Sequence, residues 1–133
     1  MILLDASAVL AYLAEEPGSE VVQDALLSGK AVMSVVNQTE VLGKLCDWGL
    51  DWPAALATFN KLAVQLEPYA APCAEEAARL RPLTRALGLS LGDRACLATA
   101  RLRKLPVLTG DRPWLGIAKP LELEILSFRP TAH

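Results

Sequence analysis

The chain has 133 residues, 53% of them hydrophobic, and a formal net charge of −2 at pH 7. This length predicts one compact domain over residues 1–133. No apolar run reaches the ~18 residues that a membrane span requires, and Asp5 interrupts the N-terminal apolar stretch where a signal peptide would continue. We therefore expect a soluble, cytoplasmic protein whose surplus apolar surface binds a partner or a second copy.

The predicted elements alternate between short strands and helices. They are a strand at 1–4, helices at 6–13 and 19–27, a strand at 31–34, helices at 35–46 and 51–62, and an extended piece at 64–66. The next elements are a helix at 72–88, a helix at 92–104, a strand at 106–109, a loop at 110–114 and a strand at 123–126. Pro82 should kink the helix at 72–88. This order predicts an α/β fold with a parallel sheet covered on both faces.

Histidine and cysteine offer little to catalysis in this chain. The one histidine, His133, stands at the C-terminus, where chains are usually poorly ordered. A catalytic imidazole and a His-ligated zinc site are therefore not expected. Cys46, Cys73 and Cys96 have no metal-ligand spacing, and we interpret them as reduced, buried thiols. Carboxylates are the groups left to carry chemistry.

Charge is unevenly distributed along the chain. Residues 1–78 carry 3 Lys/Arg against 11 Asp/Glu, whereas residues 79–133 carry 10 against 4 and include all eight arginines. Arginine-rich surface is what a phosphate backbone prefers. An ordinary solvated helix face explains the same charge pattern equally well.

Four acidic residues fall at or near the ends of predicted strands. Asp5 directly follows the first strand, Asp111 follows the strand at 106–109, Asp93 opens a helix, and Glu40 lies one to two turns into the helix after the second strand. Ligands of parallel sheets bind outside the carboxyl ends of the strands. The four carboxylates can therefore point toward one rim.

Each acid also has a purely structural interpretation. Asp5 and Asp93 can cap helices, and Asp111 can form a turn before Arg112-Pro113. Glu40 is mid-helix and cannot be a cap, which leaves a solvated face as its alternative. As a cluster about 5 Å apart, ionised carboxylates would repel by ~3 kcal/mol per pair at an effective dielectric of 20. Such a cluster must protonate or bind cations, and oxygen ligands without His or Cys favour Mg²⁺ or Mn²⁺.

Three strings resemble the motifs of PIN-domain ribonucleases. They are LLDASA at 3–8, GLSLGDRACLA at 88–98 and PVLTGDRPW at 106–114. Their order and the chain length are similar to VapC-type toxins of bacterial toxin–antitoxin pairs, with Glu40 in the expected helix between the first two strings. The resemblance implies a three-layer α/β/α domain with a short, mainly parallel central sheet.

The resemblance also implies an activity and its site. The activity is hydrolysis of RNA phosphodiester bonds by a water that Mg²⁺ or Mn²⁺ activates. The implied metal ligands and catalytic residues are Asp5, Glu40, Asp93 and Asp111. Ser7 and Thr109 match hydroxyl positions that support the site. Some relatives have a further acid shortly after the last Asp, whereas Arg112, Pro113 and Trp114 follow here, so a second metal position is not complete.

Binding partners follow from the same resemblance. Candidates to hold RNA phosphates are Arg94, Arg101 and Arg112, for which solvated or structural roles are the alternative. The resemblance implies a homodimer and an antitoxin that restrains the toxin. The segment 48–59, with Trp48, Trp52, Leu56 and Phe59, can seat an apolar antitoxin helix or belong to the core.

Other classes of protein share parts of these patterns. Residues 88–92 spell the G-x-S-x-G elbow of serine hydrolases, but a helix is predicted before it and no placed histidine is available. A phosphatase or receiver domain could use Asp5 as phosphoacceptor, but each expects a second acid near it, and Ser7 occupies one such position. A non-catalytic RNA- or protein-binding module of the same fold is the remaining alternative.

Overall fold

The computed structural model describes residues 1–130, so His133 lies outside the described residues. The strands are β1 (Ile2–Leu4), β2 (Ala31–Ser34), β3 (Gln65–Glu67), β4 (Val107–Thr109) and β5 (Ile125–Ser127). The helices are α1 (Ala6–Leu13), α2 (Ser19–Leu27), α3 (Val35–Asp47), α4 (Trp52–Asn60), α5 (Ala71–Arg79), α6 (Arg81–Thr84) and α7 (Leu91–Arg103). Two 3₁₀ turns span Arg85–Leu87 and Arg112–Ile117. Within residues 1–130, no helix has the length and apolar character needed to cross a membrane.

The sheet has the strand order β3-β2-β1-β4-β5, and every pairing is parallel. Side chains alternate between its faces. Leu4 and Leu108 point into a core shared with α1 to α4, whereas Leu3 and Val107 point into a core shared with α5 and α7. Both faces are therefore covered, and the predicted three-layer α/β/α fold with a parallel central sheet is confirmed.

The strand register decides which residues meet at the carboxyl edge of the sheet. Leu3 is level with Val32 and Val107, so Asp5, two residues further along β1, is level with Ser34 and Thr109. β1 is the central strand, and Asp5 therefore stands in the middle of the edge from which α1 and α3 begin.

Element boundaries differ from the predictions in a few places. The predicted helix at 72–88 is interrupted after Arg79 and continues through α6 and a 3₁₀ turn, because Pro82 cannot donate a backbone hydrogen bond. The last strand begins at Ile125 rather than at residue 123, since Leu121 and Leu123 pack into the second core before it. The predicted loop at 110–114 runs into a 3₁₀ turn around the buried Trp114. Cys46 is exposed, so its predicted burial is wrong.

Candidate active site

Asp5 is the centre of the carboxyl edge and is almost completely buried. Its Oδ1 accepts hydrogen bonds from the Ser7 hydroxyl (2.7 Å) and the Ala8 amide (2.9 Å). Its Oδ2 accepts one from the Thr109 hydroxyl at 2.6 Å. The bond to Ala8 caps α1, so the structural interpretation is correct as far as it goes. The two hydroxyl bonds go beyond what a cap requires.

Ser7 and Thr109 also hold the loop that carries Asp111. The Ser7 hydroxyl accepts the Gly110 amide at 2.9 Å, and the Thr109 hydroxyl accepts the Asp111 amide at 3.0 Å. Each hydroxyl therefore donates to one oxygen of Asp5 and accepts from one amide of this loop. The Asp111 side chain forms no capping hydrogen bond at the 3₁₀ turn that it precedes, so its carboxyl is not used in the predicted turn.

Asp93 lies in the first turn of α7, where it forms a capping box with Ser90. The Ser90 hydroxyl accepts the Asp93 amide at 3.1 Å, and Asp93 Oδ2 accepts the Ser90 amide at 3.0 Å. This arrangement satisfies two backbone donors at the helix N-terminus. It also shows why the G-x-S-x-G string is no nucleophile elbow: a 3₁₀ turn precedes it, and Ser90 is a helix N-cap.

Glu40 reaches from α3 to the N-terminus of α7. Its Oε1 accepts a hydrogen bond of 2.7 Å from the Asn37 amide group, which also donates to the Gly92 carbonyl at 3.2 Å. A Cβ on Gly92 would lie 2.6 Å from Glu40 Oε1, so the carboxylate rests against the bare Cα of the glycine. Sequence reasoning missed Asn37 and Gly92, although Asn37 lies three residues before Glu40 on the same helix face.

Burial and neighbouring carboxylates raise the pKa values of Asp5, Asp111 and Cys96. Burial raises the pKa of Asp5 from its usual 3.8 to about 6, against the lowering effect of its hydrogen bonds, and the charge of Asp93 raises it further. Burial and then Asp93 raise the pKa of Asp111, while the Trp114 indole lowers it. Burial raises the pKa of the Cys96 thiol, and Asp5, Asp93 and Glu40 add to that rise. The carboxylates therefore surround one region at the start of α7.

These acids have no basic partner within residues 1–130. The ion pairs join Arg79 and Arg101 to Glu76, Arg103 to Glu67, and Arg129 to Glu16. Glu67 makes the contrast clear. It ends β3 level with Ser34 at the same edge, but the guanidinium of Arg103 compensates its charge. The negative charge at the centre of the edge is left uncompensated.

A divalent cation fits this set of ligands. The carboxylates are hard oxygen donors, and the raised pKa of Cys96 keeps its thiol protonated and out of the ligand set. In residues 1–130 no three Asp, Glu, His or Cys side chains are arranged as a closed metal cage. Asp93 is held in its capping box with Ser90, and the Glu40 carboxylate is held by the Asn37 amide group.

The three candidate arginines occupy different environments. Arg94 donates to the Ala77 carbonyl at 3.2 Å and so ties α7 to α5. Arg101 pairs with Glu76 at 2.7 Å and donates to the Leu121 carbonyl. Both guanidinium groups therefore have structural contacts. Arg112 is exposed beside Asp111 and has no ion pair or side-chain hydrogen bond to any described residue.

The family model of the PIN domain matches residues 2–120. The chain belongs to the PIN-domain family. The resemblance predicted from the three sequence strings is thereby confirmed. PIN domains are generally nucleases that use a divalent metal. A search of curated protein sequences finds no significant match to this chain.

Solved structures of similar fold come from several toxin–antitoxin systems. A toxin–antitoxin complex from Klebsiella pneumoniae matches with a TM-score of 0.75 and 18% identity, covering 98% of this PIN chain and 100% of that chain. FitAcB from Neisseria gonorrhoeae matches with a TM-score of 0.72 and 20% identity, covering 96% of this chain and 98% of that chain. VapBC-5 from Mycobacterium tuberculosis, a member of the VapBC family of toxin–antitoxin systems, matches with a TM-score of 0.63 and 22% identity. The match covers 94% of this chain and 96% of that chain. These likenesses confirm the fold over nearly the whole chain.

The raised pKa of Asp5 predicts a stability cost that appears as pH increases. Because the folded pKa of about 6 exceeds the usual 3.8, the stabilising contribution of the protonated carboxyl is complete below pH 3.8 and is lost through pH 6. In EDTA, the free energy of unfolding of Asp5→Asn minus that of wild type should therefore grow by about 2 kcal/mol from pH 4 to pH 7. Urea denaturation at several pH values measures it.

The matched control for this measurement is Asp24→Asn, which removes an exposed carboxyl from α2. Its difference from wild type should stay nearly constant over the same pH range. A pH-independent difference for Asp5→Asn would show that Asp5 is not destabilised by ionisation in the folded protein.

Proposed function

We propose that this PIN domain is a metal-dependent endoribonuclease, the toxin of a VapC-type toxin–antitoxin pair. Its catalytic and metal-binding residues would be Asp5, Glu40, Asp93 and Asp111, with Mg²⁺ or Mn²⁺ as cofactor. The observation that carries the proposal is the uncompensated charge of these acids at the carboxyl edge, where parallel sheets bind ligands. Membership in a family of nucleases supports the same conclusion.

The side chains divide the work of the proposed site. Asp5 would provide a fixed ligand, because three hydrogen bonds keep both of its oxygens in place. Ser7 and Thr109 would hold the Asp111 loop at a constant distance from it. Asp93 and Glu40 would contribute their carboxylates to the ion from α7 and α3. A bound divalent cation supplies Lewis acidity, which makes water a better nucleophile and neutralises charge on the phosphate.

Cleavage of RNA by the purified protein tests this function. We expect Mg²⁺- or Mn²⁺-dependent cutting of a total RNA pool, abolished by EDTA. Asp5→Asn and Asp93→Asn should each lower kcat/KM on the order of 100-fold or more, since each removes several kcal/mol of charge stabilisation. The RNA class that is cut would show which substrate to study further.

Asp24→Asn is again the control, because it changes net charge by the same amount on an exposed helix face. It should cleave like wild type. If antitoxin-free, folded wild-type protein cuts no RNA with either metal, the non-catalytic binding module becomes the better interpretation. Calorimetric metal titration then shows whether the acids bind a cation at all.

We further propose that Arg112 binds an RNA phosphate next to the site. Its exposure and its lack of an internal partner support this role, whereas the contacts of Arg94 and Arg101 favour structural roles for those two. Arg112→Gln should weaken binding of a single-stranded RNA and reduce the slope of log affinity against log salt by about 0.7–1. Fluorescence anisotropy over a range of salt concentrations gives both quantities.

Arg79→Gln is the matched control, because this exposed guanidinium is already paired with Glu76. It should leave the salt slope unchanged. Equal slopes for wild type and Arg112→Gln would contradict a phosphate contact by Arg112.

An antitoxin partner is proposed because the similar structures above include toxin–antitoxin complexes. Trp48 and Trp52, at the junction of α3 and α4, are 44% and 55% exposed, and large exposed aromatic side chains are typical anchors of interfaces. Phe59 is 4% exposed and belongs to the first core, so of the two interpretations of this segment the core applies to Phe59. Homodimerisation stays a prediction from the resemblance, and a cytoplasmic location stays a prediction from the apolar pattern of the sequence.

Loss of the Trp52 side chain should weaken antitoxin binding by about 2 kcal/mol or more, the size of an interface hot spot. A pull-down from cells that co-express the antitoxin, with the Trp52→Ala toxin as bait, measures this loss. Phe59→Ala serves as the comparison and should lower the melting temperature instead. Undiminished capture by Trp52→Ala would place the antitoxin on another surface.

A further inference from the structure

Asn37 is a buried polar residue whose contacts are directed at the candidate site. It lies in the first turn of α3 and is 1% exposed. Its amide NH₂ donates to Glu40 Oε1 at 2.7 Å and to the Gly92 carbonyl at 3.2 Å. Because both neighbours are acceptors, only the NH₂ group can face them, and the orientation of the amide is determined.

The opposite side of the Glu40 carboxylate is bounded by Gly92. A Cβ at residue 92 would lie 2.5 Å from Glu40 Cδ, closer than carbon atoms approach without a bond. The carboxylate is thus held between an amide donor on α3 and a bare Cα on α7. Asp93 directly follows this glycine in α7, so the same contacts set the spacing between Glu40 and Asp93.

A purely structural role does not account well for an asparagine here. Its Oδ1 is buried and accepts no hydrogen bond from any described residue. A buried acceptor without a protein partner is costly to the folded state, and native proteins break such local rules at functional sites. An apolar side chain of similar volume would fill the space without that cost, but it could not hold the carboxylate.

We propose that Asn37 is a positioning residue that holds the Glu40 carboxylate over Gly92 and so sets where Glu40 meets the divalent cation. This inference rests on the proposed metal-dependent function of the site. Asn37 itself touches neither substrate nor metal, and it acts through the Glu40 carboxylate, which the sequence assigns to neither a cap nor a turn.

The test is calorimetric titration of the full chain with Mn²⁺, at a temperature where circular dichroism shows each variant to be folded. Asn37→Leu removes the donor at similar volume and should raise the Mn²⁺ dissociation constant by about 10- to 100-fold, as loss of a residue that orients a metal ligand does. Asn60→Leu, at the exposed C-terminal end of α4, is the matched control and should bind Mn²⁺ like wild type.

Gly92→Ala tests the same carboxylate from its other side and removes no hydrogen bond. Alanine raises helix propensity, so the variant should fold, yet its methyl group displaces Glu40. Gly92→Ala should weaken Mn²⁺ binding by about as much as Asn37→Leu does. In RNA cleavage, both variants should raise the Mn²⁺ concentration for half-maximal rate by the same factor and leave the KM for RNA unchanged, which a general loss of structure would not do.

The possible results separate the two proposals. If wild type neither binds Mn²⁺ nor cleaves RNA, the proposed function is wrong. If wild type binds Mn²⁺ and cleaves RNA, and if Gly92→Ala and a folded Asn37→Leu bind Mn²⁺ with wild-type affinity, only the positioning role of Asn37 is overturned. If Asn37→Leu does not fold, Gly92→Ala decides. Mn²⁺ affinity equal to that of wild type overturns the positioning role, and weakened Mn²⁺ affinity supports it.

Discussion

Burial of the Asp5 carboxylate is the constraint on which the rest of the site depends. A nearly solvent-free carboxylate must be hydrogen-bonded to remain in the fold. Its partners come from two places in the chain: Ser7 and Ala8 in the first turn of α1, and Thr109 on β4. The two hydroxyls also accept hydrogen bonds from the backbone amides of the Asp111 loop. One buried carboxylate thus organises the start of α1 and the loop after β4.

The stability of the fold and the chemistry of the site oppose each other at this edge. Within residues 1–130, the Asp5, Glu40, Asp93 and Asp111 carboxylates have no basic partner, while arginines neutralise Glu67 at the same edge and Glu76 on α5. Burial raises the pKa values of Asp5 and Asp111, and the charge of Asp93 adds to both rises. Uncompensated like charges are costly in the metal-free protein, and the same charges would give a divalent cation its affinity.

Several side chains combine capping with a place in the site. Asp5 caps α1, and Asp93 completes a capping box with Ser90. For these two residues, capping a helix and serving the proposed site are compatible, because both helices begin at the carboxyl edge. Glu40 lacks this double role, and it depends on Asn37 and Gly92 for its placement.

The sequence by itself determined the layered parallel fold, most element boundaries, and the rim on which the acids stand, because periodicity and breakers are local properties and strand ends follow from them. Only the tertiary structure decided which side chains contact one another across the fold. Arg94 and Arg101 find acceptors on α5 and near Leu121, Phe59 enters the core while Trp52 stays exposed, and Asn37 meets Gly92, 55 residues away. These contacts depend on how helices pack across the sheet, which no local pattern in the sequence encodes.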